Sequence, residues 1–193
     1  MTRARKIILI VLLVILVVLV AFCARYLVNR FCYKAPVEQA TAVTPPSAEA
    51  AQPGVELAPN FTVYNDAGEE VTLHDYIGKP IVVNFWATWC PPCKSELPAF
   101  NKAYGTYGDK VEFLMVDLTD GNMETVDGVK AFVAENGYDF PVYYDTMSSA
   151  GMAYSISAIP VTVMIDENGE LVRSFTGAIS ETVLTNSIER MID

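Results

Sequence analysis

Two cysteines separated by two prolines, in Trp89-Cys90-Pro91-Pro92-Cys93-Lys94, are the part of this 193-residue chain best suited to do chemistry. The pair follows directly on the apolar run Ile81–Trp86, so a C-x-x-C stands where a buried strand turns into a helix. At a helix N-terminus the unpaired backbone N–H groups and the helix dipole stabilise an anion. A thiol there is expected to ionise below its ordinary pKa of about 8.5, towards 7 or lower, which makes Cys90 a nucleophile at neutral pH. Pro91 and Pro92 fall where a helix makes no use of an N–H, and they stiffen the bridge between the sulfurs. Cys93, one turn further in, is expected to be less exposed and to act as the resolving thiol of a disulfide exchange. The plainer readings are an inert disulfide, two small buried side chains, or half of a zinc site. Zinc needs two further ligands, yet His74 is the only histidine, and Cys23 and Cys32 lie in or beside an apolar segment. No metal and no cofactor are expected.

The elements that position this pair read as an alternating α/β domain over residues 57–193. Phe61–Asn65 and Val71–Leu73 are predicted strands around the turn Asp66-Ala67-Gly68, followed by the central strand Ile81–Trp86. A helix is predicted from Pro91 to about Tyr107, a buried strand over Glu112–Val116, and a helix over Val126–Glu135 closed by Asn136-Gly137. Pro141–Tyr144 is a short strand and Ser148–Tyr154 a short helix. Val161–Ile165 and Leu171–Thr176 form a hairpin, and an amphipathic helix over Glu181–Met191, capped by Ser180, closes the chain. The order βββαβαβαββα implies a central mixed sheet with helices on both faces. Pro98 is expected to kink the helix that carries it. His74 reads as a turn residue and Trp86 as core, whereas Trp89 shapes the surface beside Cys90.

Upstream of the domain the composition is different. The net charge of −10 is the sum of +3 over residues 1–56 and −13 over the rest. That acidic balance, with a pI near 4.5, argues against a nucleic-acid partner. Ile7–Ala24 is an uncharged run of eighteen residues, long enough as a helix to cross a bilayer. We read residues 1–6 as a cytoplasmic tail, 7–28 as a transmembrane signal anchor, and 29–56 as a Pro/Ala-rich linker. A cleaved signal peptide is the competing reading, since Arg3, Arg5 and Lys6 form a basic start and Ala21-Phe22-Cys23 loosely resembles a cleavage site. The bulk of Phe22 argues against lipidation of Cys23. Charge leaves orientation near a tie, with three basic residues on each side of the span, and the short free tail favours the N-in arrangement.

With these residues in hand, the chain resembles the thioredoxin superfamily, and within it the membrane-anchored TlpA/ResA-like thiol-disulfide oxidoreductases of bacteria. The resemblance rests on Val82-Val83-Asn84-Phe85-Trp86-Ala87-Thr88-Trp89-Cys90-Pro91-Pro92-Cys93, on Glu96-Leu97-Pro98, on the lead-in from Leu73 to Gly78-Lys79, and on Ile159-Pro160-Val161-Thr162. It implies a thioredoxin-like fold. It also implies a cis-Pro160 packed against the dithiol, with the backbone of Ile159 free to pair with a client chain. Where thioredoxins place a buried Asp, this chain has Asn84, which takes up no proton. Glu96 is the acid that the ResA-like branch places near the dithiol, where it relays a proton from Cys93 or raises its pKa by charge; the alternative is an exposed acid in the first turns of the helix. The candidate catalytic residues are therefore Cys90, Cys93, Glu96 and Pro160. Trp89, Pro91, Pro92 and Ile159 are the candidate substrate-binding residues.

The resemblance further implies an extracytoplasmic domain that reduces disulfides of client proteins, apocytochrome c among them, and is recharged by a membrane thiol electron donor of the CcdA/DsbD type. Two other classes share the scaffold. A peroxiredoxin-like thiol peroxidase places threonine three residues before its reactive cysteine, where this chain has Ala87. A copper-delivery module like the Sco proteins uses C-x-x-x-C and a distant histidine, leaving Cu(I) capture by Cys90 and Cys93 as the remaining alternative.

Overall fold

A computed structural model of the chain describes residues 56–193. The expected cytoplasmic tail, the anchor and all of the linker except Glu56 lie outside the described residues. No helix among the described ones is long and apolar enough to cross a membrane.

The fold is organised by a strand with no exposed residue. β3, Ile81–Trp86, combines three β-branched residues with Phe85 and Trp86, and all six positions are buried. Such a run is stable only between two other strands with both faces covered. It pairs in parallel with β4, Glu112–Asp117, and antiparallel with β6, Val161–Ile165. β1 (Thr62–Tyr64), β2 (Glu70–Thr72), β5 (Val142–Tyr144) and β7 (Leu171–Thr176) complete a seven-stranded mixed sheet in the order β2-β1-β5-β4-β3-β6-β7. The expected topology is therefore present.

Alternate residues of β3 feed two cores. Val82 and Trp86 face α1 (Pro91–Tyr107), α2 (Val126–Asn136) and α4 (Glu181–Ile192), which supply Leu97, Phe100, Val129, Leu184 and Ile188. Ile81, Val83 and Phe85 pack on the other face with Phe61, Leu73 and Ala150, the last from the short helix α3, Ser149–Ala153. The helices thus lie on both faces, with the three longer ones on one. Leu73 departs from the expectation of a strand residue. The Asp75 carboxylate accepts from the Thr72 backbone N–H at 2.7 Å and from its hydroxyl at 2.9 Å, and this cap starts a 3-10 turn over Leu73–Tyr76 that still buries Leu73.

The pairing also brings three chain segments to one end of the sheet. β3 and β4 finish together at Trp86 and Asp117, and β6 begins beside Phe85 with Val161. Whatever follows β3 and β4, and whatever precedes β6, must therefore meet there. α2 ends on Gly137 in the left-handed conformation, as Asn136-Gly137 implies. α4 begins on Ser180, whose Oγ accepts from the Val183 N–H at 3.3 Å. Replacing Ser180 by Ala is expected to cost about 1 kcal/mol of stability, read as a lower urea midpoint at unchanged slope.

Candidate active site

The turn out of β3 is short and fixed. The Cys90 N–H bonds the Ala87 carbonyl at 3.2 Å, and Cys90 is the N-cap of α1, its carbonyl accepting from Lys94 N–H at 3.0 Å. Pro91 and Pro92 occupy the first two helical positions, so the first free amide of the helix is that of Cys93, which points at Cys90 Sγ from 3.2 Å. Cys90 and Cys93 are joined as a disulfide, their Cα atoms 5.3 Å apart. Cys93 has no exposed surface, as a resolving position requires. Cys90 is also nearly enclosed, at 3%.

Cys90 reaches solvent through a groove of about 420 Å³ beside it, walled by Trp89, Pro91, Pro92, Leu118, Ile156, Ala158 and Ile159. Trp89 is half exposed, whereas Trp86 is wholly buried, as the sequence implies for each. The Ile159–Pro160 peptide bond is cis, and the Ile159 carbonyl oxygen lies 3.8 Å from Cys90 Sγ. All four candidate substrate-binding residues thus border the same groove, and Pro160 is adjacent to it in the chain. Leu118 and Ile156 belong to the groove too. They escaped notice because each is an apolar residue in a loop, placed by the ends of β4 and β6 rather than by any local pattern. A larger cavity of about 540 Å³, bordered by Asp66, Lys130, Tyr138 and Tyr144, contains no thiol.

Glu96 is not the exposed acid that helix electrostatics alone would favour. Cys93, Glu96, Leu97, Phe100 and Ala103 recur at helical spacing on the face of α1 turned to the sheet, and Glu96 is 2% exposed. Its Oε1 accepts from Asn84 Nδ2 at 2.9 Å and its Oε2 from the Ile179 N–H at 2.8 Å. The other Asn84 amide proton goes to Thr162 Oγ1 at 3.1 Å. One carboxyl thus links β3, α1 and the segment before α4. Burial raises the Glu96 pKa above the ordinary carboxylate range, and the bonds from Ile179 and Asn84 oppose the shift without cancelling it. Pro98 lies inside α1, leaving the Lys94 carbonyl without its usual helical donor. His74 stands in the 3-10 turn, exposed, and Cys23 and Cys32 lie outside the described residues.

A second pair of acids closes the opposite side of the turn. Glu124, 1% exposed, accepts from the Thr88 N–H at 2.6 Å and from the Thr88 hydroxyl at 2.8 Å. Asp117, at the end of β4, is fully buried and accepts from Thr119 Oγ1 at 2.6 Å. Neither acid stood out in the sequence. An acid closing the buried run of β4 is a usable signal for Asp117, but nothing near Glu124 marks it.

Comparison with known proteins agrees with this geometry. Residues 52–192 match the Redoxin family model. The thiol-disulfide oxidoreductase ResA of Halalkalibacterium halodurans is 35% identical over 135 residues, covering 69% of this chain and 74% of the relative. ResA of Geobacillus kaustophilus is 34% identical over 133 residues, covering 68% and 74%. Among solved structures, StoA from Bacillus subtilis superposes with a TM-score of 0.59 at 27% identity, over 68% of this chain and 97% of that one. A putative thioredoxin from Neisseria meningitidis gives 0.62 at 28%, over 70% and 90%. The chain belongs to the redoxin family and is a thiol-disulfide oxidoreductase with a thioredoxin-like fold.

The raised pKa of Glu96 has a consequence for stability. The folded protein holds that proton to a higher pH than the unfolded chain does, so the contribution of Glu96 falls as pH rises from the ordinary carboxylate range through the folded pKa. Denaturation curves from pH 4 upward should show a smaller loss of stability with pH in Glu96→Gln than in the wild type; equal slopes would mean that Glu96 does not titrate with a raised pKa.

Proposed function

We propose that this redoxin-family enzyme reduces disulfides of client proteins outside the cytoplasm of a bacterial cell, held to the membrane by residues 7–28. The observation that carries the reading is the position of Cys90. Its sulfur receives an N–H at the start of α1 and opens into an apolar groove beside the Ile159 carbonyl. In the reduced enzyme the same N–H and the helix dipole favour the Cys90 thiolate. That thiolate attacks one sulfur of a client disulfide; the client's other sulfur leaves as a thiolate, and a mixed disulfide remains. Cys93 then gives up its proton and attacks Cys90 Sγ, which frees the client as a dithiol. The enzyme is left with the Cys90–Cys93 disulfide seen in this structure. Two electrons have passed to the client, and a membrane thiol donor of the CcdA/DsbD type returns them.

Glu96 is the group we assign to proton movement at Cys93. It is three residues further along α1, buried on the same helix face, and burial raises its pKa above the ordinary carboxylate range. Trp89, Pro91, Pro92 and Ile159 bind the client segment, with Leu118 and Ile156 extending the apolar walls. Pro160 fixes the Ile159 side of the groove. The TlpA/ResA-like resemblance supports reduction as the physiological direction, apocytochrome c as a client and cytochrome c maturation as the role.

A Cys93→Ser variant in native membranes tests this. It should accumulate mixed disulfides on Cys90, identifiable by mass spectrometry, while Cys90→Ser accumulates none. Recovery of apocytochrome c would support the maturation role, and recovery of many unrelated proteins would replace it with general reduction. Absence of any adduct from an otherwise active enzyme would remove Cys90 as the attacking thiol.

A further inference from the structure

We propose that Glu124 is a positioning residue for Cys90, gripping Thr88 from the buried side of the active-site turn and held there by the carboxyl of Asp117. The turn Ala87–Cys90 has a single backbone bond of its own, from Cys90 N–H to Ala87 carbonyl at 3.2 Å. Thr88 is its second residue, and both of its donors end on Glu124, one carboxylate oxygen each, at 2.6 and 2.8 Å. Both carboxyl oxygens of Glu124 are thus used, one for each Thr88 donor, and an alanine there would offer neither. Trp89 and Cys90 follow Thr88 directly, so the grip sets both the groove wall and the angle at which Cys90 Sγ meets the Cys93 N–H.

Glu124 is buried, and a buried carboxylate needs support. Asp117 supplies it. Asp117 Oδ2 is buried without a hydrogen-bond partner, and the Asp117 and Glu124 side chains interact, so one proton held between the two carboxyl groups would satisfy both. Burial first, opposed by the Thr119 hydroxyl and reinforced by the hydrogen bond and charge of Glu124 and the charge of Asp120, pushes the Asp117 pKa up to about 8. The groups that face Asp117 are Glu124, Asp120 and Thr119 from the following loop, Trp86 beside it on β3, and Tyr144 on β5. The Tyr144 hydroxyl donates to Asp66, and Lys130 of α2 stands over the Tyr144 ring, 5.7 Å from its centre. Among the described residues no cation is bonded to either acid, so the shared proton is what keeps them together. Its loss leaves two adjacent buried negative charges, which loosens the hold on Thr88 and disfavours a thiolate at Cys90; both effects slow attack.

The inference rests on Cys90 being the attacking thiol, and its test reads Cys90 directly, so it fails separately from the client trap. In full-length protein on a Cys93→Ser background, the rate of Cys90 alkylation by iodoacetamide is followed from pH 6 to 10. Glu124→Ala and Thr88→Val should each slow alkylation at pH 7 by roughly tenfold, and the double variant by little more than either, because both break the same contact. The reference rate should fall above pH about 8, and Asp117→Asn, whose amide still donates to Glu124 and does not titrate there, should abolish that fall. Far-UV circular dichroism separates these effects from misfolding, and if Glu124→Ala does not fold, Thr88→Val and Asp117→Asn carry the test. Losses that multiply in the double variant, a wild-type rate in whichever of Glu124→Ala and Thr88→Val folds, or a high-pH fall that persists in Asp117→Asn would overturn the proposal.

Discussion

The hydrogen bond from Cys93 N–H to Cys90 Sγ is the contact on which the rest of this domain converges. A helix offers unpaired amides only at its first turn, so a sulfur that is to receive one must be the cap residue itself. That requirement fixes where the helix starts, and two prolines enforce it by removing the competing donors ahead of Cys93. The cap must also be delivered to one place in space. β3 does so because it is buried at all six positions and therefore cannot shift in register without exposing or misplacing every side chain it carries.

Polar groups inside the core surround this contact on two sides, at some cost in stability. Glu96 and Asn84 lie within the sheet-facing side of α1, and Asp117 and Glu124 close the far side of the β3–α1 turn. Apolar residues of similar volume would make a cheaper core, since every buried carboxyl must find donors or hold a proton. Glu96, Asn84 and Glu124 are instead bonded to segments that border the dithiol, and Asp117 to Thr119 in the loop that follows β4. The two carboxyl groups whose ionisation is suppressed by burial, Glu96 and Asp117, sit on different elements, one in α1 and the other at the end of β4.

Much of this was legible in the chain because it is local. The bounds of β3 followed from an uninterrupted β-branched and aromatic run, the start of α1 from Pro91-Pro92, the end of α2 from Asn136-Gly137, and the cap of α4 from Ser180. The dithiol and the cis-proline were marked by motifs. The burial of Glu96 was within reach, since its spacing from Cys93 and Phe100 puts it on their face, but a weighing of charge against the helix dipole left that open. What stayed hidden depends on contacts between distant segments. Glu124 lies 36 residues from the Thr88 it holds, in a loop whose composition reads as ordinary surface. Leu118 and Ile156 border the groove only because β4 ends and β6 begins at the same edge, and Leu73 left its strand because Asp75 caps Thr72 immediately before it.

The first described residues of the chain join the sheet far from its reactive edge. Glu56, Leu57 and Ala58 bond to Leu171, Glu170 and Gly169, in the β6–β7 turn, which follows the end of β6 paired with Ile81. Cys90 follows the other end of the same strand, beyond Trp86, so the length of β3, about 17 Å, separates the two. Any pull transmitted through the preceding chain is therefore taken up by the hairpin at one pole and bypasses the pole that carries the sulfurs. The domain is thus joined to its preceding chain at the pole opposite its sulfurs.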